Sequence, residues 1–436
     1  MRSLNDGPEL NKSCSKVPGQ GIFHSGSRRI NEDKKGLNPA RNAIVCILCM
    51  LPISMLVQSF PGFDSINIIL ICALLFFMVL HLAKATIAHG FWLLVCGTFF
   101  ITIYEFFITK ASLYEPSTPA YLLLWVVFLT YVAYLGDELC ESLRDNVVCI
   151  KNSLIIWNAL VLVSVFLPSS YSGGWGDGLF FTSFTDNVFR LEQAAFCIVV
   201  LDTIYLTITR NRKMAFTLIV LPLYCAFMGG SRTYFAIISV AFLVFLAEWG
   251  WSRRKYATIC CMVLLCTIVI AMNTSIGDKF LAQLQPSSLG YDLLHQFTNG
   301  RSEFWSIDLS YYFDLPLIGQ LFGSGYNCIY DINRLYYGVA IYAHNDFINL
   351  LVTYGAFGLM LYLIPILFLI RIIFKKRGFA LAAAFSTVWF VNAFFNMNYT
   401  YTCATIALGL LFTFSCGSKK FALRISEKGS SQKSFK

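Results

Sequence analysis

Charged side chains are scarce in this sequence. Asp, Glu, Lys and Arg make up 13% of the 436 residues, about half the share that is usual in soluble domains. Hydrophobic residues reach 57%, so a soluble protein of this composition would lack the polar groups needed to cover its surface. These proportions exclude an ordinary soluble enzyme and a disordered chain. The composition therefore indicates a protein that is embedded in a lipid membrane.

Histidine is also rare, and the cysteines form no metal-binding pattern. The chain has 5 His and 15 Cys, and no Cys/His spacing is typical of a zinc site. Most of the cysteines fall inside hydrophobic runs, where they are expected to be small buried hydrophobes. Cys328 stands alone in a long connection and cannot form a disulfide within it. We therefore expect no metal, no other cofactor and no disulfide scaffold.

Long apolar runs divide the chain into predicted membrane spans, each needing roughly 20 residues. About 12 runs are present, namely 42–60, 66–82, 86–108, 118–136, 147–167, 188–209, 214–228, 233–249, 256–273, 346–370, 379–395 and 399–414. The sequence thus predicts an all-α, polytopic integral membrane helix bundle with one large outer loop containing short helices. The predicted divisions are a tail over 1–41, a transmembrane domain over 42–416 and a second tail over 417–436.

Positive charge fixes the predicted orientation of these spans. If the amino terminus lies inside, 27 of the 33 Lys and Arg residues fall in inner segments and 6 in outer ones. Membrane proteins keep Lys and Arg on the cytoplasmic side, so both tails are predicted to be cytoplasmic. The basic residues occur in short clusters between the spans rather than in one patch, which argues against a nucleic-acid partner.

Two predicted outer connections are long, 168–187 and the 69-residue loop 275–343. Loops of such length are usually functional unless they are disordered, and the second is rich in aromatic residues. Its stretch 302–313 has helical spacing, with Phe304 and Ile307 on one side together with Tyr311, and predicts a short helix on the membrane face. The aromatic residues either form an interfacial belt or stack on sugar rings.

Arginine is normally selected against on the outer side, yet four are predicted there: Arg190, Arg232, Arg301 and Arg334. Arg232 occupies a short turn between two spans, 229–233 (GGSRT), and at that depth it needs an acid from another helix, the outer headgroups or an anionic ligand. Arg301 begins the predicted loop helix, whose free N–H groups favour an anion. Arg190 begins a span on the same side, although Glu192 is a possible structural partner.

His344 ends the long loop where the chain re-enters the membrane, in 342–346 (YAHND). A lone histidine is more often structural than catalytic, but an imidazole can accept a proton from a hydroxyl near neutral pH. Asp346 points elsewhere if the helix has already begun. The predicted site is a diphosphate cradle formed by two arginines and a helix end, with His344 as the candidate base.

Several short motifs resemble those of the O-antigen polymerase and O-antigen ligase superfamily. They are 230–233 (GSRT), 300–305 (GRSEFW), 316–319 (PLIG), 323–327 (GSGYN) and 344–349 (HNDFIN), followed by Gly355 and Gly358. Together they cover residues 229 to about 363, a third of the chain. The resemblance implies a glycosyltransferase of the bacterial inner membrane. It also implies that the active site, on the periplasmic face, takes a glycan from undecaprenyl diphosphate.

The resemblance also implies roles for individual residues. Arg232 and Arg301 match the positions expected to hold the donor diphosphate, and His344 would assist the acceptor hydroxyl. Arg190 is added because of its placement, and Asn345 and Tyr326 are further candidate substrate-binding residues. No metal is implied. The expected partners are the lipid-linked oligosaccharide, membrane lipid, and a chain-length regulator and flippase of the same pathway.

The activities of this superfamily differ in the acceptor that receives the glycan. A polymerase joins the growing glycan to a new lipid-linked repeat unit, whereas a ligase transfers it to lipid A core. The long loop has a net charge of −3, while a phosphorylated core would favour a basic surface, so a polymerase is favoured. Capsule and exopolysaccharide polymerases share the motifs. A lipid-linked oligosaccharide flippase is an alternative of another class, but it would need charges along several spans.

Overall fold

The computed structural model describes residues 34–85, 89–107, 118–173, 179–231, 233–234, 236–239, 295, 298, 300–325 and 327–431. The first helices are α1 Lys34–Val57, α2 Asp64–Lys84, α3 His89–Phe107, α4 Thr118–Asp145 and α5 Val147–Val165. A short antiparallel hairpin follows, β1 Tyr171–Gly173 and β2 Leu179–Phe181, with Tyr171 opposite Phe181. Three helices come next, α6 Val188–Thr209, α7 Arg212–Leu218 and α8 Val220–Met228. The last six are α9 Arg301–Asp314, α10 Leu317–Phe322, α11 Cys328–Tyr337, α12 Asp346–Arg377, α13 Phe379–Phe395 and α14 Thr402–Ser431.

The contacts within the chain divide it into two units, Met1–Pro39 and Ala40–Lys436. The described part of the first unit is the opening of α1. The fold and the site described below belong to the second unit.

Helices of membrane-spanning length and composition dominate the fold. Among the described residues, six helices meet both conditions: Pro39–Val57, Ser65–Lys84, Ala120–Asp145, Val147–Val165, Val188–Thr209 and Asp346–Arg377. Shorter apolar helices cover Gly90–Glu105, Phe379–Phe395 and Thr402–Gly417. The predicted all-α, polytopic membrane fold is therefore confirmed. The count of about 12 spans stays a prediction, because the runs 233–249 and 256–273 lie largely outside the described residues. The predicted tail and domain boundaries also stay predictions.

The run predicted as one span over 214–228 is two helices, α7 and α8, which meet at Ile219. Pro222 explains the break. Proline has no backbone N–H to donate to the carbonyl of Leu218, four residues earlier, so one helical hydrogen bond is missing there although Ile219 keeps a helical φ of −79° and ψ of −16°. The hydropathy of the run is unaffected by one proline, which is why the apolar pattern alone predicted a single element.

Side-chain contacts sort the helix ends into two groups. At one end, Arg41 Nε donates a hydrogen bond to Ser142 Oγ at 3.0 Å, and His81 Nε2 lies 3.2 Å from Glu138 Oε2. At the other end, the rings of Phe60 and Phe184 lie 5.4 Å apart, those of Phe189 and His344 lie 6.2 Å apart, and Arg301 contacts the carbonyl of Phe395. This grouping is the one that alternating spans predict. We call the second end the site end.

The loop before α12 folds into three short helices at the site end. The predicted helix over 302–313 is α9, which extends one residue further in each direction. Its buried face consists of Trp305, Asp308 and Tyr312, so the predicted face of Phe304, Ile307 and Tyr311 is displaced by one position from the one that is buried. Trp305 and Tyr312 pack in an apolar cluster with residues of α11, α12 and the segment before α14. This second core fixes the loop helices on the bundle.

Glycine sets the shape of α12 where the loop docks on it. The helix is interrupted at Gly355, whose φ of +67° lies in the left-handed region that other residues rarely adopt. A β-carbon at Gly355 would also overlap the backbone of Leu321 in α10. The freed carbonyls of Val352 and Thr353 accept hydrogen bonds from the N–H groups of Ser324 and Gly325, at 3.0 and 3.1 Å. The kink in α12 therefore receives the turn after α10.

Candidate active site

His344 is held in an uncommon backbone conformation at the site end. Its φ is +50°, in the left-handed region that costs a non-glycine residue free energy and is enriched at functional sites. Both neighbours hold it there. The carbonyl of Ala343 accepts a hydrogen bond from Trp305 Nε1 at 2.7 Å. Asn345 Oδ1 caps α12 by accepting from the N–H groups of Phe347 and Ile348 at 3.0 and 3.2 Å.

Arg301 is the first residue of α9 and reaches the same place from the loop. Its Nη1 donates a hydrogen bond to the carbonyl of Phe395, the last residue of α13. The guanidinium also lies close enough to His344 to act on the ionisation of that imidazole. Two of the predicted site residues thus lie near each other, although they are 43 positions apart in the sequence.

The ionisation of His344 reflects this setting. Two causes lower the pKa of His344 from 6.5 to about 3: burial of the imidazole, which is the larger, and the positive charge of Arg301. The imidazole is therefore neutral at physiological pH and offers a lone pair rather than a positive charge. An anion bound between these two residues would favour the protonated imidazole and raise this pKa.

The site lies beside a cavity of about 410 Å³, which we call the polar cavity. It opens among the site ends of α1, α2 and α4, the hairpin, the start of α6, the segment before α12 and the segment before α14. The lining includes His344 and Arg190, the tyrosines Tyr121, Tyr330, Tyr342 and Tyr401, and the amides Gln58, Asn67 and Asn187. Its volume is within the range of small-molecule sites.

A second, more open depression of about 560 Å³ lies between α9 and the adjoining ends of α12 and α13, and we call it the apolar groove. Its lining is chiefly Trp305, Leu309, Phe347, Ile348, Phe390 and Phe394. Asn345 lines this groove and His344 lines the polar cavity. Phe395, which binds Arg301, lies between Phe394 of the groove and Met397 of the cavity. The start of α12 therefore lies between the polar cavity and the apolar groove, and Arg301 lies near it.

Arg190 lines the polar cavity and pairs with Asp186 rather than with Glu192, the partner that the sequence offered. Its Nη1 lies 3.1 and 3.2 Å from the two carboxylate oxygens of Asp186, and Glu192 is turned away toward Ser231. Asp186 precedes α6 by two residues, and the exposed loop lets its carboxylate fold back along the first turn. The pair places one positive and one negative charge at the wall of the cavity.

Glu192 holds the turn that leads to Arg232, a role that the sequence did not reveal. The carboxylate is fully buried, and its Oε1 accepts a hydrogen bond from the N–H of Ser231 at 3.1 Å. Gly230 has a φ of +72°, and a β-carbon there would overlap the ring of Phe180. An acid in an apolar helix was a usable signal, but its partner is 39 positions away. Arg232 itself and Tyr326 lie outside the described residues, so their predicted roles stay predictions.

Asp346 points away from the site, as its position in the helix predicts. Its Oδ2 accepts a hydrogen bond from Tyr362 at 2.7 Å, and both carboxylate oxygens accept from the N–H of Asn398, at 3.1 and 2.9 Å. This carboxylate ties the start of α12 to the segment before α14. It thereby fixes the backbone that carries His344 and Asn345.

The fold and the site together define a polytopic membrane protein with a candidate active site at one end of its helix bundle. The family model described as O-antigen ligase matches residues 217–363, and this family covers O-antigen polymerases and ligases. The resemblance expected from the motifs is confirmed. The match includes Arg301, His344 and Asn345 as well as Arg232, and it leaves out Arg190. No curated protein matches the chain.

Proposed function

We propose that the protein is an O-antigen, or related surface polysaccharide, polymerase. It would join repeat units carried on undecaprenyl diphosphate at the periplasmic face of the inner membrane. The observation that supports this most directly is that Arg301 lies near His344, while His344 lines the polar cavity and the next residue, Asn345, lines the apolar groove. A lipid-linked glycan has an apolar chain, an anionic diphosphate and a polar sugar in that order.

The donor lies across the boundary between the groove and the cavity in the proposal. Its lipid chain occupies the apolar groove, beside Trp305, Phe390 and Phe394. Its diphosphate faces Arg301, because guanidinium groups bind phosphate oxygens with strong, charge-assisted hydrogen bonds. Arg232 is assigned to the same diphosphate by its match to the family motif.

The chemistry is a substitution at the anomeric carbon of the donor. An acceptor hydroxyl oxygen forms the new glycosidic bond, the bond from the anomeric carbon to the phosphate oxygen breaks, and the lipid diphosphate leaves with the electron pair. Negative charge develops on the leaving group, so a fixed guanidinium stabilises the transition state. His344 accepts the hydroxyl proton, and general base catalysis of this kind contributes about 10²–10⁴-fold. The bound diphosphate raises the pKa of His344 and so strengthens it as a base.

A polymerase fits the charge of the site better than a ligase does. Among the described residues that line the polar cavity, Arg190 and Asp186 pair with each other and His344 is neutral. A site for phosphorylated lipid A core would present unbalanced positive charge. The ligase is the second candidate, because the matched family model carries that description. Capsule and exopolysaccharide polymerases share the chemistry and are alternatives for the polymer made.

The proposed setting follows from the charge distribution. The site end faces the periplasm and both tails are cytoplasmic, because 27 of the 33 Lys and Arg residues fall on the other side. A flippase that delivers repeat units and a regulator of chain length are the expected partners of such a polymerase.

Reconstitution tests this proposal. The full chain in lipid nanodiscs is supplied with undecaprenyl-diphosphate-linked repeat units, with or without lipid A core. In the reaction without lipid A core, we expect a ladder of longer lipid-linked glycans and the release of undecaprenyl diphosphate. Arg301→Ala and His344→Ala should abolish both products. Glycan transfer only to lipid A core would establish the ligase instead. Intact repeat units in both reactions, with folded protein, would contradict both activities.

A further inference from the structure

The polar cavity is separate from the groove assigned to the lipid chain, and the start of α12 lies between them. His344 lines the cavity, whereas the next residue, Asn345, lines the groove. A hydroxyl held in the cavity can therefore reach His344 without entering the apolar groove. The polar cavity can therefore serve as a second binding site, next to the groove assigned to the donor.

The side chains around the cavity have the chemistry of a sugar site. Tyr121, Tyr330 and Tyr401 approach from three different segments, and the negative face of an aromatic ring attracts the partly positive C–H groups of a sugar. Gln58, Asn67 and Asn187 supply amide groups to the same space. The oxygens of Asn67 and Asn187 already accept hydrogen bonds from Ser54 and from the N–H of Phe189, so these two amides offer chiefly their NH₂ groups to a hydroxyl.

The same lining contains little net charge. Arg190 and Asp186 form an ion pair with 3.1 Å between Nη1 and Oδ1, and the other described residues around the cavity are neutral or, in His344, carry no charge at neutral pH. The cavity therefore suits a hydroxyl-rich, uncharged part of a glycan better than a phosphate group.

The exposed aromatic residues of the loop helices lie elsewhere. Phe313 and Tyr336 are 66% and 62% exposed and line neither the cavity nor the groove. The aromatic residues thus separate into two sets, one free to meet the membrane surface and one, including Tyr330 and Tyr342, facing the cavity.

We propose that the polar cavity binds the acceptor glycan by packing its sugar rings on Tyr121, Tyr330 and Tyr401, with the hydroxyl to be glycosylated directed at His344. This inference rests on the proposed function and adds to it the location and the recognition chemistry of the second substrate. The Arg190–Asp186 pair then lies against the glycan.

The test uses the full chain in nanodiscs, lipid-linked repeat units as donor, and a labelled repeat-unit oligosaccharide without lipid as acceptor. We expect Tyr121→Ala and Tyr401→Ala to raise the KM for the oligosaccharide roughly fivefold to tenfold and to leave the KM for the donor within about twofold. Tyr121→Phe and Tyr401→Phe keep the ring face and are expected to behave like the wild type. Tyr336→Ala is the matched control outside the cavity.

The outcomes separate this inference from the proposed function. An unchanged KM for the oligosaccharide in both alanine variants, or a wild type that does not use it while extending lipid-linked units, would overturn the acceptor site alone. A wild type that extends nothing would overturn the proposed function. If one alanine variant fails to fold, as judged by size-exclusion chromatography, the other decides. If neither folds, saturation-transfer NMR of the oligosaccharide with wild type decides, and a missing signal overturns the site.

Discussion

Arg301 combines two roles at the residue scale, because it holds the end of α13 and carries the charge beside His344. We expect Arg301→Lys to lower the rate of glycan transfer roughly tenfold to hundredfold although the charge is kept. Lysine lacks the planar fork that binds the phosphate and the carbonyl together. Arg334→Lys, on α11 and outside both the cavity and the groove, is the control. Transfer in nanodiscs gives the rates, and an Arg301→Lys rate equal to that of wild type would remove the role of the fork.

His344 gives the site a defined pH dependence. Its pKa is about 3 in the free protein, so the base remains deprotonated at every working pH before the donor binds. The diphosphate favours the imidazolium and raises this pKa, so the bound base becomes protonated as pH falls. We expect kcat to decline at a higher pH than kcat/KM does. If kcat and kcat/KM decline at the same pH, or if His344→Gln leaves the pH profile of kcat unchanged, this role is contradicted.

Residue-scale prediction from sequence succeeded where placement alone was sufficient. Arg301 and His344 are predicted on the same side because Arg301 begins a helix of the predicted outer loop and His344 ends that loop, and the structure places them near each other. The partner of Arg190 was not predictable in this way. Asp186 and Glu192 are both close in sequence, and only the path of the loop before α6 decides that Asp186 pairs with it. The contact from Glu192 to Ser231 is tertiary and leaves no local pattern.

At the scale of elements, the kink of α12 connects the loop helices to the bundle. We expect Gly355→Ala to destabilise the protein strongly, since alanine is strained at a φ of +67° and its β-carbon would overlap the backbone of Leu321. Gly338→Ala is a matched control with a φ of +73° and no atom within 4 Å. It should lose only about 1–2 kcal/mol from backbone strain.

Thermal unfolding monitored by size-exclusion chromatography compares these two variants. Equal melting temperatures would show that the docking of α10 on α12 contributes nothing beyond the backbone conformation of Gly355. A much lower melting temperature for Gly355→Ala is the expected result.

Hydropathy predicted the elements well because a helix that crosses the lipid core needs about 20 mostly apolar residues. The predicted runs 188–209 and 379–395 coincide with α6 and α13, and the loop helix α9 was predicted within one residue at each end. The hairpin and the bounds of the loop helices α10 and α11 were not predicted, since each of these elements is short and is stabilised by tertiary packing. The break at Ile219 depends on a single proline that hydropathy averages away.

At the scale of the whole molecule, the orientation in the membrane remains a prediction from charge. We expect Leu335→Cys, at a position 79% exposed on α11, to react with an impermeant maleimide in cells whose outer membrane alone is permeabilised. Lys376→Cys, in the basic last turn of α12, should react only after the inner membrane is disrupted. The wild type reports labelling of the native thiols. The opposite pattern in the two variants would invert the proposed topology.

The most direct test of the central claim is the surface polysaccharide of a deletion strain. The strain is complemented with wild type, Arg301→Ala, His344→Ala or the Arg334→Lys control at matched expression. A polymerase of the proposed kind predicts that deletion leaves core bearing a single repeat unit, and that only wild type and the control restore the ladder. A ladder restored by Arg301→Ala and His344→Ala would contradict the proposed site. Bare core with accumulated lipid-linked polymer would contradict the polymerase and identify a ligase.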